Sequence, residues 1–397
     1  MAGIEEHRWK QDMTGGIVHV ATGLEIGGAE MLLLELCRMQ IQCGHDVSVA
    51  SLISDGPMRE RFARTGIEVI GLGMKRGQFF ASGFVQLVRL IREIRPRLIQ
   101  GWLYHANLAA IAATWLSGVL PRPRLAWGIF GALPEFACYP PRLRRVVRAS
   151  MRLSPLVDGI VFNSEVALEA HQRYGFHSRV MQLVSNGIDL TAFGPRPDLR
   201  AAMRQILELP EDAVVAIAVG RPDPMKNWPG MLAATEALAH QNVWLIAVGE
   251  DTERLPPGPQ RRLLGRRDDM PALYAAADIF LLASHFGEGT SVALAEAMAC
   301  GLPVIVTDVG DNGVIAEDVG LVVKPHDAAS LAQALSQLAS DPALRSYAGK
   351  AAQARAAGFG VDRLYAGFCS FYDSLLGRSP ECAQSANPDS FKGSRQF

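Results

Sequence analysis

Two glutamates stand eight positions apart in the stretch GEGTSVALAEAMACG, at Glu288 and Glu296. Residues 290–291 are a threonine and a serine, both favourable helix N-caps, and Gly301 is a favourable stop. The stretch therefore predicts a helix from about Ser291 to Cys300, with Glu288 before it and Glu296 in its second turn. The start of a helix presents unpaired backbone amides and partial positive charge, which together bind anions.

Carboxylates beside such a site would repel an anion unless they bind neutral parts of the same ligand. A carboxylate accepts hydrogen bonds from both hydroxyls of a sugar diol, while the helix start holds phosphate. A nucleotide diphosphate sugar offers both groups at once. The alternative is that Glu288 only stabilises the helix electrostatically and that Glu296 is a solvated surface residue.

A second candidate group is a pair of cations in the stretch GRPDPMKN, residues 220–227. This stretch follows the apolar run VVAIAV, so Arg221 and Lys226 are expected in a loop at the carboxyl end of a buried strand. Two fixed cations at that position can hold a diphosphate. The alternative is that both are ordinary solvated side chains.

Two further sites stand at predicted strand ends in the first half of the chain. Gly27 and Gly28 lie between the first predicted strand and helix, where missing side chains let a ligand approach the backbone; the alternative is a tight turn. The sequence there is neither a P-loop nor a GxGxxG fingerprint. His105, in QGWLYHAN, follows a buried strand, and its alternative is a structural histidine.

The elements that must position these residues alternate between short apolar runs and helical patterns. From residue 17 onward this alternation predicts parallel strands covered by helices. It is broken at residues 186–198, NGIDLTAFGPRPD, which read as an interdomain linker, and then resumes. The prediction is an α/β protein with two doubly wound, Rossmann-like parallel-sheet domains facing a cleft.

The predicted domain boundaries follow from this pattern. Residues 15–185 are expected to form the first domain and residues 199–360 the second. Residues 377–397 are expected to be a disordered tail, because they are polar and carry no helical or strand pattern.

Composition excludes several classes of protein. The 397 residues have a formal net charge of −1, with 21 Lys and Arg against 16 Asp and Glu in residues 1–190 and 18 against 24 thereafter. This balance argues against a nucleic-acid-binding protein. Six scattered cysteines without a CxxC pair indicate reduced thiols, and the absence of an apolar leader or an 18-residue apolar run favours a cytoplasmic protein.

Five motifs occur together in one order: the glycine turn of GLEIGGAE, the histidine of WLYHAN, NGID, the GR…K loop and the E-x7-E pair of GEGTSVALAE. In this order the chain resembles the retaining nucleotide-sugar glycosyltransferases of the GT-B fold, family 4, from about residue 17 to residue 376. The resemblance implies transfer of a hexosyl or N-acetylhexosaminyl group from a UDP- or GDP-sugar. It also implies that the helix at residues 361–376 crosses back to the first domain.

The resemblance assigns the second-domain residues to parts of the donor. Arg221 and Lys226 are expected to bind the diphosphate and to act in catalysis. Glu296 is expected to bind the ribose hydroxyls, and Glu288 the transferred sugar. The base is expected to be read by backbone near LLGRRDD, for which Leu264 is chosen.

The remaining assignments come from the glycine turns and the histidine. Gly27 and Gly28 are expected against the donor, as are Gly289 and Thr290 at the start of the E-x7-E helix. His105 is expected to contact the sugar near the reacting carbon. The sequence departs from the family at Asn227 and Trp228, where glycine often follows the lysine, and in FGALPEF, residues 130–136, on the acceptor side.

No Asp-x-Asp sequence occurs in the chain, so we expect no metal and no cofactor other than the donor, with the cationic loop neutralising the diphosphate. A retaining glycosidase is set aside because its carboxyls lie ~5 Å apart, whereas eight residues of helix separate Glu288 and Glu296 by roughly 10 Å. A GT-B epimerase or phosphorylase stays open as an alternative. So does a non-catalytic nucleotide-sugar-binding partner subunit.

The acceptor is expected to be a saccharide or lipid-linked saccharide in surface polysaccharide synthesis. Residues 141–155, PRLRRVVRASMRLSP, form an arginine-rich amphipathic stretch that suits an anionic membrane surface. The alternative is an ordinary surface helix packed through its apolar residues. On the first interpretation the enzyme is peripheral at the inner face of the cytoplasmic membrane.

Overall fold

The computed structural model describes residues 16–53, 56–74, 81–131 and 140–377. Within them the first half of the chain forms a seven-stranded parallel sheet in the order β3-β2-β1-β4-β5-β6-β7. The strands are β1 (Ile17–Ala21), β2 (Val47–Ser51), β3 (Glu68–Gly71), β4 (Leu98–Trp102), β5 (Arg124–Ile129), β6 (Gly159–Phe162) and β7 (Val180–Leu183). Residues of β1, β2 and β4 are buried throughout, as expected for a parallel sheet covered on both faces.

Helices connect these strands and cover both faces of the sheet. They are α1 (Gly28–Gln42), α2 (Met58–Arg64), α3 (Ala81–Ile94), α4 (Leu103–Ser117), α5 (Pro141–Leu153) and α6 (Glu165–Tyr174). Two apolar clusters, one on each face, form the core of this domain.

The second half forms a six-stranded parallel sheet in the order β10-β9-β8-β11-β12-β13. Its strands are β8 (Val214–Val219), β9 (Val243–Val248), β10 (Arg261–Leu263), β11 (Ile279–Leu282), β12 (Val304–Thr307) and β13 (Leu321–Val323). Its helices are α7 (Pro197–Ile206), α8 (Trp228–Ala237), α9 (Met270–Ala276), α10 (Val292–Ala299), α11 (Asn312–Ala316), α12 (Ala328–Ser340) and α13 (Pro342–Ala356). Two doubly wound α/β domains, the predicted fold class, are therefore confirmed.

The chain crosses between the domains twice, and the two crossings are hydrogen-bonded to each other. The amide of Ile188 donates to the carbonyl of Phe359 at 2.7 Å, and the amide of Val361 donates to the carbonyl of Ile188 at 3.1 Å. The first crossing is shorter than the predicted linker, because α7 already begins at Pro197 with proline in its first turn.

The last helix, α14 (Val361–Leu376), packs on the first domain. Phe368 and Phe371 are fully buried there, and the Tyr372 hydroxyl donates to Gln100 Oε1 in β4 at 2.5 Å. Gly159 at the start of β6 makes this packing possible, because a Cβ there would lie 2.4 Å from Leu375. The chain end is thereby fixed to the opposite domain.

Several sequence predictions fall outside the described residues. The expected tail beyond residue 377 lies there, as do residues 132–136 of the FGALPEF stretch. Within the described ranges, every helix is too short or too polar to span a bilayer.

Candidate active site

The loop between β11 and α10, residues 283–291 and here called the Glu288 loop, carries the first predicted carboxylate. Glu288 is buried, and its Oε1 accepts hydrogen bonds from the Ser284 hydroxyl at 2.5 Å and from Lys226 Nζ at 2.6 Å. Two residues predicted to bind different parts of a ligand are thus paired with each other. An anion that enters would compete with Glu288 for the charge of Lys226.

The β8–α8 loop holds Lys226 in place through local capping. Asp223 caps the short turn that ends at Lys226, accepting from the amide of Met225 at 2.8 Å. Asn227 follows with φ +54°, and its side chain caps α8 by accepting from the amide of Gly230 at 3.1 Å. Asparagine tolerates this left-handed conformation, so the departure from glycine at this position keeps the turn.

Trp228, the second departure, is buried, and its indole N–H donates to the carbonyl of Arg221 at 2.9 Å. Arg221 is exposed, and its positive charge acts on Glu30 of α1 in the first domain. Burial raises the pKa of Glu30, and the positive charge of Arg221 counteracts part of that effect. Arg221 therefore stands where charges from both domains meet.

Ser291 caps α10 through its hydroxyl, which accepts from the amide of Leu294 at 3.4 Å, and Gly301 follows the helix with φ +81°. The predicted helix and its caps are present. Glu296 points from its second turn toward Tyr274, whose hydroxyl donates to Glu296 Oε2 at 2.9 Å.

Burial raises the pKa of Glu296 to about 7. The hydrogen bond from Tyr274 and the positive charge of Arg61 act in the opposite direction. Arg61 belongs to α2 of the first domain and forms an ion pair with Asp268 in the loop after β10. The surroundings of Glu296 therefore combine groups from both domains.

Gly289 and Thr290 are buried between the domains. The Thr290 hydroxyl donates to the carbonyl of Asn163 at 2.8 Å, and the Asn186 amide group donates to the carbonyl of Thr290 at 2.7 Å. A Cβ on Gly289 would lie 3.0 Å from Asn163 Oδ1. These contacts fix the end of the Glu288 loop to the first domain and to the linker. The Glu288 carboxylate, which comes just before Gly289 in the chain, stays at the cleft.

Gly27 and Gly28 have different roles in the structure. A Cβ on Gly27 would lie 2.5 Å from Glu30 Oε2, so a side chain at this position would displace the Glu30 carboxylate. Gly28 is exposed, and a Cβ there would lie 3.5 Å from Val292 at the start of α10. Gly28 thus brings the first-domain turn against the second-domain helix end that is predicted to bind an anion.

His105 is exposed in the first turn of α4, at the carboxyl end of β4. Partial burial lowers its pKa, which favours the neutral imidazole near pH 7. Leu103, two residues earlier, has φ +66°, a conformation that leucine rarely adopts. It is preceded by Trp102, whose indole N–H donates to Nδ1 of buried His19 at 3.0 Å.

Leu264 directly follows β10, where its amide donates to the carbonyl of Ala247 at 2.9 Å and its side chain packs against the second-domain core. It lies at the carboxyl end of its strand, as the residues at the ends of β8 and β11 do. Its side chain packs inward, so only its backbone is left for the predicted contact with a base.

Sequence reasoning missed two sets of residues. Arg61, Asn163, Asp268 and Asp311 make contacts between the two domains. Tyr274 and Ser284 hold the two predicted glutamates within the second domain. For Asp311 a signal existed, because TDVGDN follows a strand and therefore reaches the same edge as the Glu288 loop.

Comparisons with known proteins show which family models the two halves of this chain match. Residues 26–192 match the family model described as Glycosyltransferase Family 4, and residues 200–355 match the model described as Glycosyl transferases group 1. Together the two models account for most of the chain.

Individual relatives are more distant. A D-inositol 3-phosphate glycosyltransferase of Kineococcus radiotolerans is 32% identical over 242 residues, 51% of this chain and 54% of that protein. The match thus spans about half the length of such curated relatives.

Solved structures match over nearly the whole chain. HepE of Anabaena in complex with UDP-glucose has a TM-score of 0.77 at 21% identity, covering 90% of this chain and 99% of HepE. WaaG, a glycosyltransferase involved in lipopolysaccharide biosynthesis, has a TM-score of 0.69 at 20% identity, covering 91% and 100%. At these identities the likeness shows the fold, which is GT-B.

Proposed function

The chain belongs to the glycosyltransferases whose two domains match the family 4 and group 1 models, and from this membership we propose that it is a retaining nucleotide-sugar glycosyltransferase. It moves a hexosyl or N-acetylhexosaminyl group from a nucleotide diphosphate sugar to an acceptor hydroxyl. The donor occupies the cleft between the two sheets.

The observation that supports this most strongly is the grouping at the edge of the second sheet. Lys226 and Glu288 are in contact there, Glu296 lies in the second turn of α10, and Gly28 borders the start of that helix. A cation, two carboxylates and a helix start within one cleft match a ligand that has a diphosphate between two sets of hydroxyls. The proposed contacts are Lys226 and Arg221 to diphosphate, Glu296 to ribose and Glu288 to sugar.

The chemical step separates an oxocarbenium-like sugar from a departing diphosphate. Negative charge grows on the diphosphate, where Arg221, Lys226 and the amides at the start of α10 stabilise it. Removing one such group should lower the rate ~10²-fold, equivalent to about 3 kcal/mol of barrier. His105 contacts the sugar near the reacting carbon from the opposite domain.

The proposed reaction uses no metal ion. Two side-chain cations and a helix end supply the positive charge that a divalent ion provides in other transferases. The sequence also supports a metal-free reaction, because it has no Asp-x-Asp motif. Transfer should therefore persist in EDTA.

The donor panel begins with UDP-glucose, because the structural neighbour HepE is complexed with it. Leu264 borders the proposed position of the base. The proposed acceptor is a saccharide or a lipid-linked saccharide; inositol phosphate is a further acceptor to assay, since curated relatives are named for it. The protein is proposed to work in the cytoplasm, at or near the inner membrane face.

A thermal-shift screen against UDP-, GDP- and ADP-sugars in EDTA tests this proposal. One donor should raise the melting temperature of the wild type, and the effect should weaken in Glu296→Ala. The matched control is Glu236→Ala, whose carboxylate is exposed on α8. If no donor produces a shift, or if Glu296→Ala responds like the wild type, the proposed donor site is wrong.

A further inference from the structure

An apolar group protrudes from the far end of α4. Trp115 is 56% exposed, Leu116 61% and Leu120 82%, and all three lie within six residues. Here we call them the α4 tip. Large apolar side chains so exposed and so close together are characteristic of an interaction surface.

The α4 tip is held firmly by its own surroundings. Gly118 ends the helix with φ +64°, and Arg92 of α3 donates to the carbonyls of Ser117 at 2.8 Å and Leu116 at 3.1 Å. On the opposite face of α4, Ala110 and Ala113 are fully buried in the domain core. The exposed side chains are therefore presented by a rigid element.

The region around the tip is strongly basic. Residues 81–157 contain eleven arginines, two glutamates, no lysine and no aspartate. The guanidinium of Arg122 lies 5.5 Å from the centre of the Trp115 ring. Arg95 and Arg97 precede β4 and Arg152 ends α5, so they lie at the same edge of the sheet as the tip.

An aspartate at this edge is already neutralised. Asp158, before β6, is 8% exposed at its side chain and pairs with Arg124 at 2.9 Å and Arg122 at 3.6 Å. The outward surface consequently keeps a positive excess.

The apolar residues of α5 are not available for the same purpose. Val147 is fully buried, and Leu143 and Met151 pack against the first-domain core, while Arg145 and Arg152 are exposed. The arginine-rich stretch 141–155 is therefore a surface helix packed through most of its apolar residues, with Val146 half-buried, and it offers mainly charge.

We propose that the α4 tip is the membrane-inserting element of this protein, with an anionic lipid bilayer as its partner. Trp115, Leu116 and Leu120 enter the boundary between headgroups and acyl chains, and the surrounding arginines bind anionic headgroups. A second copy of this chain fits the surface less well, because arginines would then face arginines. This assignment rests on the membrane location proposed above and gives it a specific contact surface.

The position of the tip has a consequence for the active site. His105 lies in the first turn of α4 and the tip begins ten residues later at Trp115, which is roughly 15 Å along the helix. Docking through the tip keeps the cleft open to a soluble donor. A lipid-linked acceptor reaching His105 must then extend a comparable distance from the bilayer.

Vesicle binding of the full chain tests the proposal. The wild type should sediment with vesicles of equal phosphatidylglycerol and phosphatidylcholine and not with pure phosphatidylcholine. Leu120→Ser and Trp115→Ser should each weaken binding about tenfold, since each removes an inserted apolar side chain. The control is Ile206→Ser, which removes a 66% exposed side chain on α7.

Insertion itself is measured by quenching of tryptophan fluorescence with brominated lipid. Quenching should occur in the wild type and should be lost in Trp115→Phe, which should still bind vesicles. All variants should melt like the wild type because their side chains are exposed. The donor-induced thermal shift is recorded alongside, so that loss of the donor site and loss of lipid binding are separate results.

Three outcomes would overturn the proposal. They are wild-type affinity in Leu120→Ser and Trp115→Ser, unchanged quenching in Trp115→Phe, and failure of the wild type to bind anionic vesicles. A wild-type dimer that Leu120→Ser converts to a monomer would instead assign the tip to self-association.

Discussion

Asp311 of the second domain caps the helix that begins at Glu165 in the first. Its carboxylate accepts hydrogen bonds from the amides of Glu165 at 2.8 Å and Val166 at 3.2 Å, while its own amide donates to the carbonyl of Gly289 at 3.2 Å. A negative charge at the start of α6 is favourable because of the helix dipole. One residue thus connects the Glu288 loop to a helix of the opposite domain.

Asp311→Ala should loosen this connection. The free energy of unfolding should fall by about 1 kcal/mol, as for other lost N-caps. The dissociation constant for the donor should rise, because the Glu288 loop loses a support. Chemical denaturation and calorimetric donor titration measure the two effects.

The matched control for Asp311→Ala is Asp327→Ala. Asp327 caps α12 by accepting from the amide of Ser330 at 2.9 Å, entirely within the second domain. Its removal should reduce stability to a similar degree with no effect on donor affinity. Equal donor affinities in both variants would show that the interdomain cap does not support the site.

The contact between Lys226 and Glu288 predicts strongly non-additive mutations. Lys226→Met leaves a buried carboxylate without its cation and should lower the free energy of unfolding by about 3 kcal/mol. Adding Glu288→Gln should restore most of that loss, because a neutral amide needs no counter-charge. Urea unfolding of the two single variants and the double variant measures the coupling.

Sugar transfer should be impaired in both single variants and in the double variant, although the double variant regains most of its stability. The loss of activity is then separate from the loss of stability. Glu236→Gln is the control. Glu236 pairs with Arg261, but its side chain is 74% exposed, so this ion pair should contribute less than 1 kcal/mol to the free energy of unfolding. Additive losses in the double variant would mean that Lys226 and Glu288 do not interact in solution.

The raised pKa of Glu296 predicts opposite pH dependences for the free energy of unfolding and for donor affinity. Its pKa is about 7 in the folded protein against 4.5 unperturbed. A raised folded pKa means that the stability it contributes is fully present below pH 4.5 and is lost as the pH rises through 7. The difference is on the order of 3 kcal/mol.

Glu296→Gln removes this titration, so its free energy of unfolding should exceed that of the wild type increasingly up to pH 7. Donor affinity of the wild type should instead rise through the same range, because ionised Glu296 accepts the ribose hydroxyls. Tyr274→Phe removes a hydrogen bond that lowers the Glu296 pKa, and should move both midpoints upward. Parallel stability curves for the wild type and Glu296→Gln would contradict the assignment.

The sequence predicted the parts of the fold that depend on local pattern. Apolar runs and caps indicated the strands and the α10 helix, down to Ser291 and Gly301, and the motif order indicated GT-B. These features follow from periodicity and turn chemistry within short stretches.

The cross-cleft contacts were not predictable in the same way. Thr290 and Asn163 are 127 positions apart, and nothing in either local pattern indicates their hydrogen bond. Likewise, nothing in the local pattern around Gly27 indicates that the Glu30 carboxylate folds back close to it. The α5 sequence fits a membrane surface and a packed surface equally well, and only the neighbouring helices determine which face is buried.

Gly310 provides a prediction about the shape of the Glu288 loop. It has φ +64°, and a Cβ there would lie 2.3 Å from the carbonyl oxygen of Glu288 and 2.5 Å from that of Gly289. Gly310→Ala should therefore push the loop out of position in addition to straining its own backbone. The expected result is a loss of donor-induced thermal shift and a stability loss of more than about 1 kcal/mol.

Gly118→Ala isolates the backbone part of this effect. Gly118 has the same φ of +64°, but nothing lies within 4 Å of a Cβ built there. That variant should lose about 1 kcal/mol of stability and keep the full donor response in lipid-free solution. If Gly310→Ala also keeps the donor response, the carbonyls of Glu288 and Gly289 can move apart without disturbing the site, and the close approach of residue 310 has no role in donor binding.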